Sequence, residues 1–301
     1  MKLPKDIIKT ILSHPENQYL NLIERVINNG IKTNSRNGVT RSLVGEKMNF
    51  DLTNNTLPLI TTKKLAWKTC LKELFWFISG DTDNANLRKQ NVNIWNANAS
   101  REFLDSRKLW YLDEDDLGPV YGHQWRHYNA SYYNTKTKYD GRGVDQLENV
   151  VKMLKNEKER ESRRIILNAW NPCQIDEMAL PPCHVLSQFI VKNNELTTIL
   201  YQRSGDIGLG IPFNIASYSF LTHILAKHCD IEAKEFIHII GDAHIYEDHV
   251  EPLKEQIKRK PYEFPEIEIL KKCESIDDYN MDHIKVKNYN YKNKINMEMK
   301  S

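Results

Sequence analysis

The apolar positions of this chain fall into two rhythms, and the elements change where the rhythm changes. Tyr19, Leu22, Ile23, Val26 and Ile27 recur at three- and four-residue spacing after Pro15, which predicts a first amphipathic helix with Gly30 as its stop. The residues through Ser13 have little to anchor them, so 1–14 is set apart from a single domain over 15–301. Ser35 to Arg41 reads as a polar, turn-rich loop leading into the alternating stretch Leu43 to Leu52. Residues 65–79 predict the most apolar helix, ended by Gly80, and a short helix follows between Asp81 and Asn91. Val144, Leu147, Val150, Val151 and Leu154 predict an amphipathic helix over 144–155, and the charged run 156–161 a solvated loop. Ile165-Ile166-Leu167 reads as a buried strand. Val185 to Val191 and Leu196 to Tyr201 flank Asn193-Asn194 and predict a hairpin. Asn214 is placed to cap a helix over 215–228, and Phe236 to Ile240 reads as a strand.

Charge and composition narrow the class. The 301 residues carry 42 Lys+Arg against 40 Asp+Glu, a net charge of +2 that provides no footprint for a nucleic-acid scaffold. No apolar run is long enough to span a bilayer. The five cysteines lack metal-type spacing, so no metal is expected. With no signal peptide at Met1-Lys2-Leu3-Pro4, the expectation is a reducing, cytoplasmic setting with free thiols.

The candidate chemistry centres on Leu180-Pro181-Pro182-Cys183-His184 and on Tyr201-Gln202-Arg203-Ser204-Gly205-Asp206. The two prolines fix the backbone before Cys183, and the predicted hairpin returns Arg203 alongside it. A cation near a thiol favours the reactive thiolate. A lone cysteine is also a common small core residue. On the helix over 65–79, Ala66, Cys70, Glu73 and Phe77 share one stripe, so Glu73 faces an apolar wall that would raise its pKa. The alternative is a helix-edge carboxylate reaching water. Ile94-Trp95 followed by Asn96 and Asn98 offers a flat wall for a planar heterocycle, or simply core. Gly118 to Arg126 reads as a close-packed site wall. Arg36 in its polar loop, and Arg163-Arg164 beside an apolar strand, suit an anion such as phosphate. Asn214, if turned inward, could read an imide edge, and His244 and Tyr246 share one side of an extended segment.

These motifs, with Pro212-Phe213-Asn214-Ile215-Ala216-Ser217-Tyr218 and Gly241-Asp242-Ala243-His244-Ile245-Tyr246, closely resemble the folate-dependent thymidylate synthases of the monofunctional animal type, from about Gln18 to Met299. The resemblance implies an α+β fold, a single domain on a large twisted mixed sheet with packed helices, its sheets stacked back to back in a homodimer. It implies reductive methylation of dUMP to dTMP, with 5,10-methylenetetrahydrofolate as one-carbon and hydride donor and dihydrofolate as the second product. The implied catalytic residues are Cys183 as nucleophile, Glu73 for proton transfer, Tyr121 near the thiol, and His184, Arg203 and Asn214. The nucleotide would be bound by Arg36, Arg203 and Ser204 at the phosphate, with Arg163 and Arg164 from the partner subunit. Gln202, Gly205, Asp206, His184 and Asn214 would lie along the nucleotide, and His244, Ile245 and Tyr246 at its ribose. Lys63, Ile94, Trp95, Asn98, Asp206, Leu209, Phe213 and Lys300 would contact folate, with 297–301 as a closing tail. Two departures stand out: Asn96 occupies a position where the family has Asp, and the tail ends Lys300-Ser301 rather than in small apolar residues.

Two other readings compete. A dUMP hydroxymethylase would keep the thiol and the folate but use water in place of hydride, and a nucleotide- or RNA-binding regulator, including one of its own message, would keep the scaffold alone. Asn214 favours uracil over cytosine, because its amide matches a carbonyl beside a ring N–H.

Overall fold

The computed structural model describes residues 14–35 and 37–300, so residues 1–13, Arg36 and Ser301 lie outside the description. The first helix, α1 (Asn17–Asn29), buries Tyr19, Leu22, Ile23, Val26 and Ile27 as the spacing predicts. Gly30 ends it in an extended conformation, φ −66° and ψ 138°. Glycine is needed there for closeness, since a Cβ would stand 2.4 Å from the Val26 carbonyl oxygen.

The expected loop 35–41 is mostly strand. β1 (Ile31–Ser35) and β2 (Gly38–Asp51) form a hairpin whose register pairs Ser35 with Gly38. Later strands are β3 (Ile166–Asn168), β4 (His184–Lys192), β5 (Glu195–Asp206) and β6 (Glu232–Tyr246), the last continuous where two pieces were read. Together they make a six-stranded sheet in the order β1-β2-β6-β5-β4-β3. Only β5 and β6 run parallel, so the sheet is mixed and the single domain is α+β. The β4–β5 turn is the predicted one: Asn193 and Asn194 take φ of 51° and 61°, as a two-residue hairpin turn requires. Ile165 and Leu167 are buried, but Ile166 is 43% exposed because β3 is an edge strand.

The helices cover one face. α2 (Trp67–Ile78) packs on α7 (Gly210–His228), which lies on β5 and β6 and is buried almost all round. Between them in sequence come α3 (Asn84–Arg88), α4 (Arg101–Ser106), α5 (Tyr121–Arg126) and α6 (Gln146–Lys155). Val144 lies outside α6 and is 49% exposed, since Asp145 caps that helix. α8 (Val250–Ile257) and a small hairpin, β7 (Glu266–Ile269) with β8 (Ile284–Lys287), complete the domain. Under α7 the core stacks Tyr218 on Phe236 and Phe236 on Phe50.

Candidate active site

The site forms where α2, α5 and the start of α7 meet the ends of β4, β5 and β6. A bulge between His184 and Leu186 changes the alternation of β4, so that His184 turns inward together with Ser187 and Phe189. Register then sets Gln202 opposite His184, and the Arg203 N–H donates to the Cys183 carbonyl at 2.9 Å. The Arg203 side chain closes on the same turn, with Nε donating to Pro182 O at 2.9 Å and Nη2 to Pro181 O at 3.0 Å. The double proline therefore leaves two carbonyls free to hold the arginine beside the thiol. Cys183 is partly exposed, and burial raises its pKa while the Arg203 charge opposes that rise.

Tyr121 joins the Cys183 backbone to the opposite wall. Its hydroxyl accepts the Cys183 N–H at 2.8 Å and the His184 N–H at 3.4 Å. Its ring lies 6.3 Å from that of Trp95 and 4.8 Å from Phe77. The Trp95 indole N–H donates at 2.7 Å to Glu73 Oε1. Desolvation on the apolar face of α2 pushes the Glu73 carboxyl up to about 7, against the pull of that single hydrogen bond. The sequence alternative of a carboxylate free in water does not hold for Glu73. Cys70, one turn earlier, is buried and donates to Phe213 O at 3.3 Å, which ties α2 to the first turn of α7.

Asn214 does not cap α7. The helix begins at Gly210, and the Asn214 amide points instead at His184, with Nδ2 2.7 Å from Nε2. Burial lowers the His184 pKa to about 4, so the ring is neutral. Gly205 is closely packed: a Cβ there would meet Ile211 Cδ1 at 2.4 Å and Gln202 Nε2 at 3.1 Å, so both side chains would have to shift to admit one.

A second group lies at the end of β6. Strand alternation puts Asp242, His244 and Tyr246 on one face and buried Ile245 on the other. His244 Nδ1 is 3.1 Å from Asp242 Oδ1 and 3.5 Å from Ser204 Oγ, and its ring is 5.4 Å from Tyr246. Tyr246 in turn faces His249 at 5.6 Å, whose Nδ1 is 3.8 Å from Asp206. Burial works against the Asp206 carboxylate, but His249 and the Gly208 N–H outweigh it and hold the pKa low. Asp206 also accepts from the N–H groups of Gly208 and Leu209, at 2.8 and 3.2 Å.

The remaining predicted residues are placed as follows. Lys63 is buried, with Nζ on the Gly208 carbonyl, and desolvation lowers its pKa to about 8. Ile94 and Phe213 are half-buried against the core. Asn98 is buried, and its Nδ2 has no partner among the described residues. Asn96 bonds to Asn84 at 3.1 Å and Asn93 at 3.3 Å. Arg163 and Arg164 are exposed, and neither guanidinium has an ion-pair partner among the described residues. Lys300 pairs with Asp248 at 2.6 Å and Glu298 at 3.1 Å. The tail is held further by His249 Nε2 at 2.8 Å from Glu298 O. Arg36 lies outside the described residues. Sequence reasoning missed His249; the only signal was a histidine three residues past Tyr246, in step with a helical turn after the strand.

A thiol, a carboxyl pushed up to about 7 and a neutral histidine–amide pair are thus brought together on one α+β domain. The family model described as thymidylate synthase matches residues 17–301. The thymidylate synthase of equine herpesvirus 2 is 48% identical over 290 residues, 96% of this chain and 99% of that one. The human thymidylate synthase is 48% identical over 287 residues, 95% of this chain and 91% of its own length. The bifunctional dihydrofolate reductase-thymidylate synthase of Plasmodium berghei is 49% identical over 288 residues, 95% of this chain and 49% of that protein. The chain thus spans about half the length of such bifunctional relatives. It belongs to the thymidylate synthase family.

Proposed function

We propose that this chain catalyses the reductive methylation of dUMP to dTMP, with 5,10-methylenetetrahydrofolate as co-substrate and dihydrofolate as the other product. The observation that carries the reading is the connected wall Cys183–Tyr121–Trp95–Glu73, which joins a thiol to a carboxyl with a pKa near 7. Cys183 Sγ adds to C6 of the uracil ring and leaves C5 electron-rich. The Asn214 amide donates to O4, where charge develops, and accepts from N3–H. Arg203 holds the thiolate and reaches the phosphate with Ser204. Glu73, close to half-ionised at neutral pH, moves a proton to and from the reacting atoms. When bound, the folate supplies the one-carbon unit and the hydride. The donor set suits it: the indole of Trp95, the half-buried Phe213 and the unpartnered Asn98 Nδ2 offer a planar ring both contact area and a buried hydrogen bond.

The chain works as a homodimer. The sheet face away from α7 carries the row Leu186, Tyr201 and Ile239, in register across β4, β5 and β6 and incompletely buried. A partner sheet would cover this apolar row. The exposed Arg163 and Arg164 then reach the phosphate in the partner's site. All five cysteines are free thiols, which fits a cytoplasmic setting. Among the described residues no helix is long and apolar enough to cross a membrane.

The test is one reaction with C5-tritiated dUMP and methylenetetrahydrofolate, following label release and dihydrofolate absorbance together. Equal amounts of both are expected. Label without dihydrofolate would mean hydroxymethylation, and silence in both with dUMP bound would leave a binding protein.

A further inference from the structure

Beyond its two prolyl carbonyls, the Arg203 guanidinium has a third contact, and it is aromatic: its central carbon lies over the Trp170 ring, 5.7 Å from the centroid. No step above uses Trp170, which sits in the segment after β3 rather than on the strands that carry the thiol. One side chain clamps its backbone. Asn168 Oδ1 accepts the Trp170 N–H at 3.1 Å, and Asn168 Nδ2 donates to the Trp170 carbonyl at 3.1 Å. The Tyr128 hydroxyl donates to the same carbonyl at 3.4 Å, and the Ala169 N–H donates to Val185 O at 2.8 Å, which ties the segment to β4 just past Cys183. The indole is therefore carried on a fixed backbone.

Two hydrogen bonds from Nε and Nη2 define an axis about which a planar guanidinium can still swing. A ring packed against the group limits that swing. Of the five N–H groups, two are spent on the prolyl carbonyls, which leaves three with no hydrogen-bond partner among the described residues. A carboxylate in place of the indole could hold the arginine as well, but it would cancel the charge the arginine offers. An aromatic ring holds the cation and leaves its charge in place. That charge acts on Cys183, where it opposes the effect of burial; Tyr121 and His184 beside the thiol are neutral near pH 7.

We propose that Trp170 is a positioning residue for Arg203: its ring, with the two prolyl carbonyls, keeps the guanidinium in an orientation where one arginine serves both the Cys183 thiolate and an anion bound beside it. The inference rests on the reading above, in which that anion is the nucleotide phosphate. Trp170 touches neither the thiol nor the nucleotide in this scheme and acts only through Arg203.

Two readouts separate positioning from packing. The first is iodoacetamide alkylation of Cys183 against pH in the ligand-free protein, followed by peptide mass spectrometry so that exposed Cys173 is counted apart. In Trp170→Leu the midpoint should rise by about half a pH unit or more. The second is binding of dUMP beside deoxyuridine, by ligand-detected NMR. In the same variant dUMP should weaken roughly three- to tenfold, while deoxyuridine, which lacks the phosphate, stays within about twofold. Trp170→Phe keeps a ring and should recover most of both effects. An unchanged alkylation midpoint, equal weakening of the two ligands, or a Phe variant no better than Leu would reduce Trp170 to packing and overturn the proposal. Where Trp170→Leu does not fold, Asn168→Ala releases the Trp170 backbone and should move both readouts in the same directions; no movement there would also overturn it. Should the alkylation midpoint shift as expected while wild type binds no dUMP, the functional reading fails and the positioning role stands.

Discussion

Two glutamates set against the core, Glu16 fully buried and Glu73 half-buried, differ in the donors they meet. Glu16, at the start of α1, is fully buried and takes four hydrogen bonds, from the N–H and Oγ1 of Thr61 at 2.9 and 2.6 Å and from those of Thr62 at 2.9 and 2.6 Å. Glu73, on α2, has one, from Trp95. A carboxylate supplied with donors on both oxygens is a structural bolt, and one left short of donors keeps its proton to near neutrality.

The largest effect that sharpens this contrast is on turnover. Glu73→Gln should lower kcat by roughly 10²- to 10⁴-fold while the protein stays folded, as read by steady-state kinetics beside circular dichroism. Glu16→Gln should do the reverse. Turning an amide N–H toward backbone and hydroxyl donors that lose an acceptor should cost about 2–4 kcal/mol in denaturant unfolding, with kcat of the folded fraction near wild type.

A smaller effect separates the two by pH. The folded-state pKa of Glu73, about 7, stands above the ordinary carboxyl value of about 4.3, so the native state binds the proton more tightly. That contribution to stability is complete below about pH 4.3 and is lost as pH rises through 7. Since Gln cannot ionise, Glu73→Gln should gain stability over wild type between pH 5 and pH 8, by about 1–3 kcal/mol at the upper end. Equal unfolding differences at the two pH values would break the comparison.

Trp95→Phe removes the one N–H that favours the charged form, so the Glu73-linked limb of the kcat/KM profile should move up by roughly one pH unit. A smaller effect still is expected at Asp248, about half exposed and paired to Lys300. Asp248→Asn should change thermal stability by less than about 1 kcal/mol, and less again in high salt.

Much of this was legible before the fold was seen, wherever local chemistry decides the outcome. Asn193-Asn194 fixes its own turn, the α1 stripe its buried face, and Cys70 and Phe77 the desolvation of Glu73, whereas Ala66, expected on the same stripe, is exposed ahead of the first turn of α2. What stayed hidden depends on partners far along the chain. Glu16 meets Thr61 and Thr62 across 45 residues or more. His238 meets Gln202 across a parallel strand pair. Asn214 was open to two readings because its role turns on where α7 begins. That start is set by packing on the sheet, not by a capping side chain. Val144 matched the helical period yet stays outside, since Asp145 accepts the Glu148 N–H and starts α6 after it.

The most direct measurement is the titration of Glu73 itself, by carboxyl carbon-13 NMR of glutamate-labelled protein with the Glu73→Gln spectrum as the assignment. A midpoint near 7 is the result this account predicts. A midpoint in the ordinary range, about 4 to 4.5, would contradict it, because a fully ionised Glu73 at neutral pH would have no proton to move.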